Sequence, residues 1–230
     1  MPKKLGENGR KRDWSFYQHV QRFGLGWAIY RAIMIRIRKQ VLVAVINSRE
    51  LFAEAPEEDP SPFEVRVLDE QALLDACTLF PTELTPAFIK LALARGDVCL
   101  GAYDDERLVS FTWRCYSRCH HKPGIWVQVP KGYRYGYKAF TEPSYRGKRA
   151  MNPYVSDPIC ISKGCSRTIA FIELHNRSSI ANSDRQGKSK IVGYVAYLKI
   201  FGKLFTWHSA SVKAVGFKFY AADAEGNPLP

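Results

Sequence analysis

The chain has 230 residues, 46% of them apolar, the share of a globular protein and enough to bury a full core as one domain or as one domain with an appendage. Its 34 Lys and Arg against 22 Asp and Glu leave a net charge of +12, which favours acidic partners: phosphorylated small molecules, acidic carrier proteins, anionic lipid or nucleic acid. No stretch reaches the roughly 20 apolar residues of a membrane-spanning helix, because Arg31, Arg36, Arg38 and Lys39 interrupt the longest, and the charged opening PKKLGENGRKRD leads into no cleavable apolar run, which argues against a secretory signal.

Residues 1–39 hold ten Lys or Arg against Glu7 and Asp13, so much of the charge excess belongs to this end. From Trp14 to Gln40 the pattern predicts mostly helix, with Trp27, Tyr30, Met34, Ile37 and Val41 recurring at three and four residues as one apolar stripe. Such a basic amphipathic helix docks on its own domain or lies on an anionic membrane surface. The β-branched run QVLVAVI, Gln40 to Ile46, has strand character. EAPEEDPSP, Glu54 to Pro62, is acidic and proline-rich and reads as a linker. The expected organisation is a basic N-terminal arm over residues 1–51, a linker over 52–62 and a main domain over 63–230.

FEVRVL, Phe63 to Leu68, alternates as a strand. Asp69 can cap a helix from Glu70 to Leu79, and Thr82 or Thr85 a second one ending near Gly96. Asp97 to Tyr103 and Arg107 to Tyr116 predict a hairpin across Asp104, Asp105 and Glu106. Ser117 to Gly124 reads as a polar loop, and Ile125 to Val129 and Tyr133 to Thr141 as strands. Tyr133, Tyr135 and Tyr137 share one face of theirs, either as sheet packing or as the lining of a tunnel.

Six cysteines in such a chain are expected as reduced thiols of a cytoplasmic protein. Cys115 and Cys119, followed by His120 and His121, could pair with Cys160 and Cys165 around zinc, but the spacings are not CxxC. The reading is core or loop cysteines and no metal.

The chain's chemistry centres on EPSYRGKRAM, Glu142 to Met151. A strand that turns through a basic glycine-containing loop into a helix directs several backbone N–H groups at one spot and can hold a pyrophosphate. Neither GxxxxGK[ST] nor GxGxxG is met. The segment resembles the acyl-CoA loop of the GNAT acyltransferase superfamily, with Pro143, Tyr145, Arg146, Gly147 and Lys148 in register. Arg149 stands where that pattern has its second glycine and Met151 where it has its last. The order of segments is similar too. RTIAFIEL, Arg167 to Leu174, matches the fifth strand, Asn176, Ser179, Ser183 and Gly187 the small-residue helix after it, and KIVGYVAYLKIFGKLF the sixth and seventh strands. The likeness covers roughly residues 64 to 220.

The resemblance implies a mixed, mostly antiparallel α/β sheet with flanking helices, plus the N-terminal amphipathic helix. It implies acyl transfer from acetyl-CoA or another acyl-CoA to an amine. A carrier-protein donor, and a non-catalytic domain on anionic membrane or nucleic acid, are the alternatives; the absence of RNA-binding signatures weighs against nucleic acid. Expected location is the cytoplasm, with peripheral contact to the inner membrane face as an alternative. The implied donor site comprises the main-chain N–H groups of Phe140 and Thr141, the loop residues Arg146, Gly147, Lys148, Arg149, Ala150 and Met151, and Asn176, Ser179 and Ser183. Asn176 has helix capping as its plainer reading. Ser183 takes the place usual for an acid tyrosine.

Removing a proton from an ammonium acceptor needs a base, and Glu142, Glu173 and His175 are the candidates. Glu142 can equally be a strand-end carboxylate or a partner for Arg146, Glu173 lies in an apolar strand where it must be paired, and His175 can be a hydrogen-bonded strand-end histidine. Pro153 and Pro158 limit the helix expected from Gly147.

Overall fold

The structure is a computed structural model that describes residues 20–21, 24–37, 41–50, 62–148, 150–151, 157–177, 179–181, 189–200, 203–223 and 226–229. Its frame is a sheet of eight strands. In chain order these are β1 (Val41–Glu50), β2 (Glu64–Val67), β3 (Val98–Asp104), β4 (Arg107–Cys115), β7 (Tyr133–Thr141), β8 (Arg167–Glu173), β9 (Ser189–Ile200) and β10 (Lys203–His208). They lie in the order β10-β9-β1-β8-β7-β4-β3-β2. A second sheet joins β5 (Arg118–Lys122), β6 (Ile125–Gln128) and β11 (Lys218–Ala221), with β6 in the middle. All named strand pairs are antiparallel except β7 with β8. With its flanking helices this is the mixed, mostly antiparallel GNAT-like architecture that the resemblance implied.

The β-branched run that begins at Gln40 forms β1, inside the sheet; the expected linker falls almost wholly outside the described residues. The strand pairs with β8 from Ala44↔Glu173 to Glu50↔Arg167, and with β9 from Val41↔Leu198 to Arg49↔Ser189. The helix before it, α1 (Leu25–Ile37), is followed within four residues by β1.

α2 (Glu70–Leu79) and α3 (Pro86–Ala94) start where capping chemistry predicts. Ala72 N–H donates to Asp69 Oδ1 (2.8 Å) and Phe88 N–H to Thr85 Oγ1 (3.3 Å), so Thr85 rather than Thr82 is the second cap, with Pro86 just inside it. Leu73 and Ala76 from the first helix, Ile89 and Ala92 from the second and Leu84 from the turn between them pack onto Cys99, Phe111 and Trp113 of the sheet. A second core lies between the two sheets, where Tyr135, Ile169, Val195 and Tyr197 meet Val127, Phe217 and Phe219.

Three local expectations fail. The polar stretch Ser117 to Gly124 contains β5, whose inward positions are Cys119, buried, and His121, half-buried; because these are a cysteine and a histidine, the period of two was hidden. No helix begins at Gly147. Residues 146–148 are turn and 150–151 are non-helical, and the next helix is the six-residue α4 (Asp157–Ser162), with Pro158 in its first turn. Proline tolerates that place because its missing N–H would have had no helical partner there. Between β10 and β11, where the alternation of Lys190 to Tyr220, with turns or bulges at Gly202 and Gly216, predicts strand, α5 (Ala210–Val215) intervenes and ends on Gly216 at φ +88°. Among the described residues no helix is long and apolar enough to cross a membrane.

Candidate active site

β7 and β8 run parallel but pair only from Tyr133↔Arg167 to Tyr135↔Ile169. Both strands continue, β7 to Thr141 and β8 to Glu173, without further pairing to each other among the described residues. The cause lies in β7. Opposite β4, Tyr137 faces Trp113 and Phe140 faces Phe111, so Lys138 and Ala139 together oppose Thr112. This is a β-bulge, which bends and overtwists its strand. Lys138 carries the left-handed φ of +46° that a bulge imposes at some cost to a residue with a side chain. A gap therefore opens at the C-terminal ends of the one parallel pair.

Glu142 N–H donates to Val109 O of β4 (2.9 Å). Along an extended chain the preceding amide, that of Thr141, points the opposite way, into the gap. Phe140 turns back toward β4, its carbonyl accepting from Ser110 Oγ (2.8 Å). Of the two expected amide donors, only that of Thr141 is aimed at the gap.

The loop beyond is a 3₁₀ turn, Pro143–Tyr145, followed by residues 146–148 in turn conformation. Its amides close local turns: Tyr145 N–H to Glu142 O (2.9 Å), Arg146 N–H to Pro143 O (3.4 Å) and Lys148 N–H to Tyr145 O (3.3 Å). Among the described residues no helix stands directly behind it, and the side chains of Arg146 and Lys148 are exposed. Arg146 Nε donates to Thr141 O (3.2 Å), Lys148 Nζ lies 4.8 Å from the centre of the Tyr145 ring, and Tyr145 Oη donates to Asp104 Oδ2 (2.6 Å). Gly147 adopts φ +83°, and a Cβ there would meet nothing within 4 Å. Ala150 is buried against Phe63, Ala102 and Val109, with Met151 packed beside it. These two anchor the loop. Arg149 and Ser183 lie outside the described residues.

The three candidate bases separate into two groups. Glu142 accepts from Arg107 Nη2 through both carboxylate oxygens (2.8 and 3.1 Å), a cross-strand ion pair with β4, and not from Arg146. Glu173 and His175 meet each other at the end of β8, with His175 Nε2 3.1 Å from Glu173 Oε2. The His175 side chain is 10% exposed, and its Nδ1 is buried without a hydrogen-bond partner. A carboxylate on one ring nitrogen fixes the tautomer and leaves the other nitrogen's lone pair available. Asn176 caps the helical turn that follows, its Oδ1 accepting from Ser179 N–H (3.3 Å). Its side-chain oxygen is engaged by the turn.

Two neighbours of this pair escaped the sequence reading. Tyr30 of α1 has its hydroxyl buried without a hydrogen-bond partner, and burial first, then the Glu173 carboxylate, raises its pKa. The Arg177 guanidinium lies 4.6 Å from the centre of the Trp27 ring. Trp27 and Tyr30 of the predicted stripe thus bring α1 onto the end of β8; spacing showed the stripe but not its target. His121 is boxed by Phe171, Tyr197 and Phe219, with ring centres 5.0 to 5.6 Å away, and its Nε2 lies 3.0 Å from Tyr197 Oη. Burial, aided by Lys122, lowers its pKa to about 3 against a smaller upward pull from Glu173.

Tyr135 is buried in the core, and Tyr137 Oη donates to Asp97 Oδ2 (2.6 Å) while accepting from Arg95 Nη2 (3.3 Å). These two serve sheet packing. Cys115 and Cys119 lie in the core between the sheets, Cys160 Sγ accepts from Arg134 Nη1 (3.0 Å), and among the described residues no three metal-ligating side chains converge.

No protein-family model and no curated protein matches the chain. Among solved structures it is similar to a putative acetyltransferase of the GNAT family from Novosphingobium aromaticivorans, at 15% identity and TM-score 0.44 over 68% of this chain and 63% of that one. It is similar to a Trypanosoma brucei acetyltransferase at 20% identity and TM-score 0.39, over 54% and 91% of the two chains. A GCN5-related N-acetyltransferase from Kribbella flavida gives 9% identity and TM-score 0.42 over 76% and 62%. The chain thus spans about three fifths of the first of these proteins.

Proposed function

We propose that the chain is a GNAT-type acyltransferase that moves an acyl group from an acyl-CoA to an amine. The observation that carries this reading is the Glu173–His175 pair, whose buried, unpartnered Nδ1 lies at the end of β8, one of the two strands that part at the gap. Its lone pair is unclaimed, and once the acceptor's entry uncovers it the nitrogen can take the proton that an ammonium must shed before it attacks.

The donor supplies an activated thioester carbon. Arg146 and Lys148, exposed on the loop, hold its phosphates by charge, with Arg149 as a third cation in the same run. The Thr141 amide, aimed into the gap, donates to the acyl oxygen and stabilises the charge that grows there. His175 Nδ1 takes the acceptor's proton and Glu173 steadies the imidazolium so formed; the neutral nitrogen then bonds to the acyl carbon, the carbon–sulfur bond breaks, and the departing CoA thiolate takes up the second proton the nitrogen loses, through solvent. Glu142, engaged by Arg107, has a structural role.

The test combines acetyl-CoA and longer acyl-CoAs with a panel of amines while free thiol is followed. Wild-type protein should release thiol in an amine-dependent way. His175→Ala should lose about a hundredfold or more in turnover, a usual size for general-base removal, while acyl-CoA still raises its melting temperature. Full turnover in His175→Ala, or no stabilisation of the wild type by any acyl-CoA, would defeat the assignment.

A further inference from the structure

A single run of chain, from Thr206 near the end of β10 through α5 to Phe219 in β11, lines a cavity of about 280 Å³. β10 is the terminal strand of the large sheet and β11 a terminal strand of the small one, so the cavity lies where two sheet edges approach. Phe217 and Phe219, buried in the core between the sheets, give it an apolar floor. The polar side chains that line it are those of Thr206, His208, Lys213 and Lys218. No acidic residue is among them, and among the described residues neither lysine has an acidic partner.

His208 sets the chemistry of this hollow. It is 8% exposed, and its Nε2 accepts from Phe219 N–H (3.0 Å). A ring nitrogen that accepts carries no proton, so the neutral imidazole holds its hydrogen on Nδ1. Among the described residues that N–H has no protein acceptor. Protonating Nε2 would break the bond to Phe219, and burial first, then Lys213 and Lys218, lowers the pKa of the ring. No acidic group among the described residues pulls it upward. At neutral pH the hollow therefore offers a fixed N–H donor, a hydroxyl and two ammonium groups, with no negative charge to offset them. Lys213 stands in the last turn of α5, where a cation also suits the helix end. That accounts for one lysine, but not for the second or for the buried donor.

We propose that this hollow binds the phosphate group of a small phosphate monoester. A phosphate dianion matches two ammonium charges and has oxygens enough for the imidazole N–H and the hydroxyl as well. A carboxylate, with one charge, would leave an ammonium unmatched. The volume lies at the lower edge of ligand pockets and suits a phosphate on a short carbon chain, which the two phenylalanines can cover, rather than a nucleotide. Arg146 and Lys148 follow β7, four strands from β10 in the large sheet, so this site does not depend on the acyl-CoA assignment.

The full chain, with nitrogen-15 in its histidine rings, is titrated with inorganic phosphate, glycerol phosphate and acetate at constant ionic strength. The His208 signals are identified by their loss in His208→Gln, whose amide oxygen can still accept from Phe219 N–H. His208 should show the Nδ1–H tautomer, and its Nδ1 resonance should move to saturation with glycerol phosphate, less readily with inorganic phosphate and not with acetate. Lys213→Ala and Lys218→Ala, both at exposed positions, should each weaken glycerol phosphate binding by about tenfold, the size of one charge-assisted contact. Both variants should keep the wild-type response to acyl-CoA. A His208 resonance that glycerol phosphate leaves in place overturns the proposal, as does unchanged affinity in both lysine variants. It is equally overturned if inorganic phosphate or acetate binds as tightly as the ester, or if the hydrogen of the His208 ring is found on Nε2.

Discussion

His121 gives the sharpest test of the packing between the two sheets. Its pKa is lowered to about 3 from an ordinary 6.5 because burial among Phe171, Tyr197 and Phe219 disfavours the charged ring. The unfolded chain then binds a proton below pH 6.5 that the folded chain refuses until near pH 3. Stability is therefore fully present above pH 6.5 and is lost as pH falls through that window. From pH 7 to 4.5 the loss from this one ring is about 2.5 kcal/mol, and the whole window is worth at most about 5 kcal/mol. In His121→Phe the ring that replaces the imidazole fits an aromatic box and cannot take up a proton. It forgoes the contact to Tyr197 Oη, at about 1 kcal/mol, independent of pH over this range. Urea unfolding of both proteins at pH 7 and pH 4.5 isolates the effect as a difference of differences, because other titrating groups, including His208, whose pKa burial also lowers, are common to both. The variant should lose about 2.5 kcal/mol less than the wild type between the two values. Equal losses would mean that the ring is hydrated, and the account of the second core would be wrong.

Gly147→Asp should abolish stabilisation by acyl-CoA while Gly147→Asn keeps most of it; both residues tolerate the left-handed backbone and a Cβ there meets nothing within 4 Å, so thermal shifts isolate repulsion of the donor's phosphates by charge. Glu142→Gln should hold turnover within about threefold, since its carboxylate serves Arg107; a hundredfold loss in the thiol assay would return it to the chemistry. Tyr30→Phe, which deletes a buried hydroxyl without a partner, should stabilise by up to about 1 kcal/mol in urea melts, and a loss of that size would mean that the hydroxyl has a partner in solution. Gly193→Ala should destabilise by about 1–3 kcal/mol, because its Cβ would collide with Ser209 Oγ, Ser211 Oγ (2.5 Å) and Val212 Cγ2 (2.9 Å); an unchanged melting temperature would show that α5 gives way.

Elements whose signals are local were legible in the chain alone. Asp69, Thr85 with Pro86, and the Asp105–Glu106 turn of the β3–β4 hairpin each act within a few residues, and each marks a boundary found in the structure. β5 was missed because Cys119 is its one apolar inward side chain and the other, His121, is polar by type, so no alternation shows; only the aromatic box explains why a histidine is there. At the site, the loop's basic residues could be read, but the direction of its amides could not. That depends on whether a helix follows, and the chain from Gly147 does not form one through the described residues that precede α4. The Glu173–His175 contact joins residues two apart, yet spacing alone cannot tell such a pair from two independent side chains. The nearness of Tyr30 is a contact across more than a hundred positions, for which periodicity carries no signal.

The insertion of β1 between β8 and β9 bears on the order in which the molecule can be assembled. It precedes all its partners in the chain, and both its hydrogen-bonding edges must wait for residues some 120 to 160 positions later, a delay of the kind that slows folding and leaves strands open to wrong pairing. By the same geometry, shortening the protein to begin after Glu50 would not trim an accessory tail: it would sever the C-terminal hairpin from the remaining strands and bare two raw edges for neighbouring molecules to zip onto.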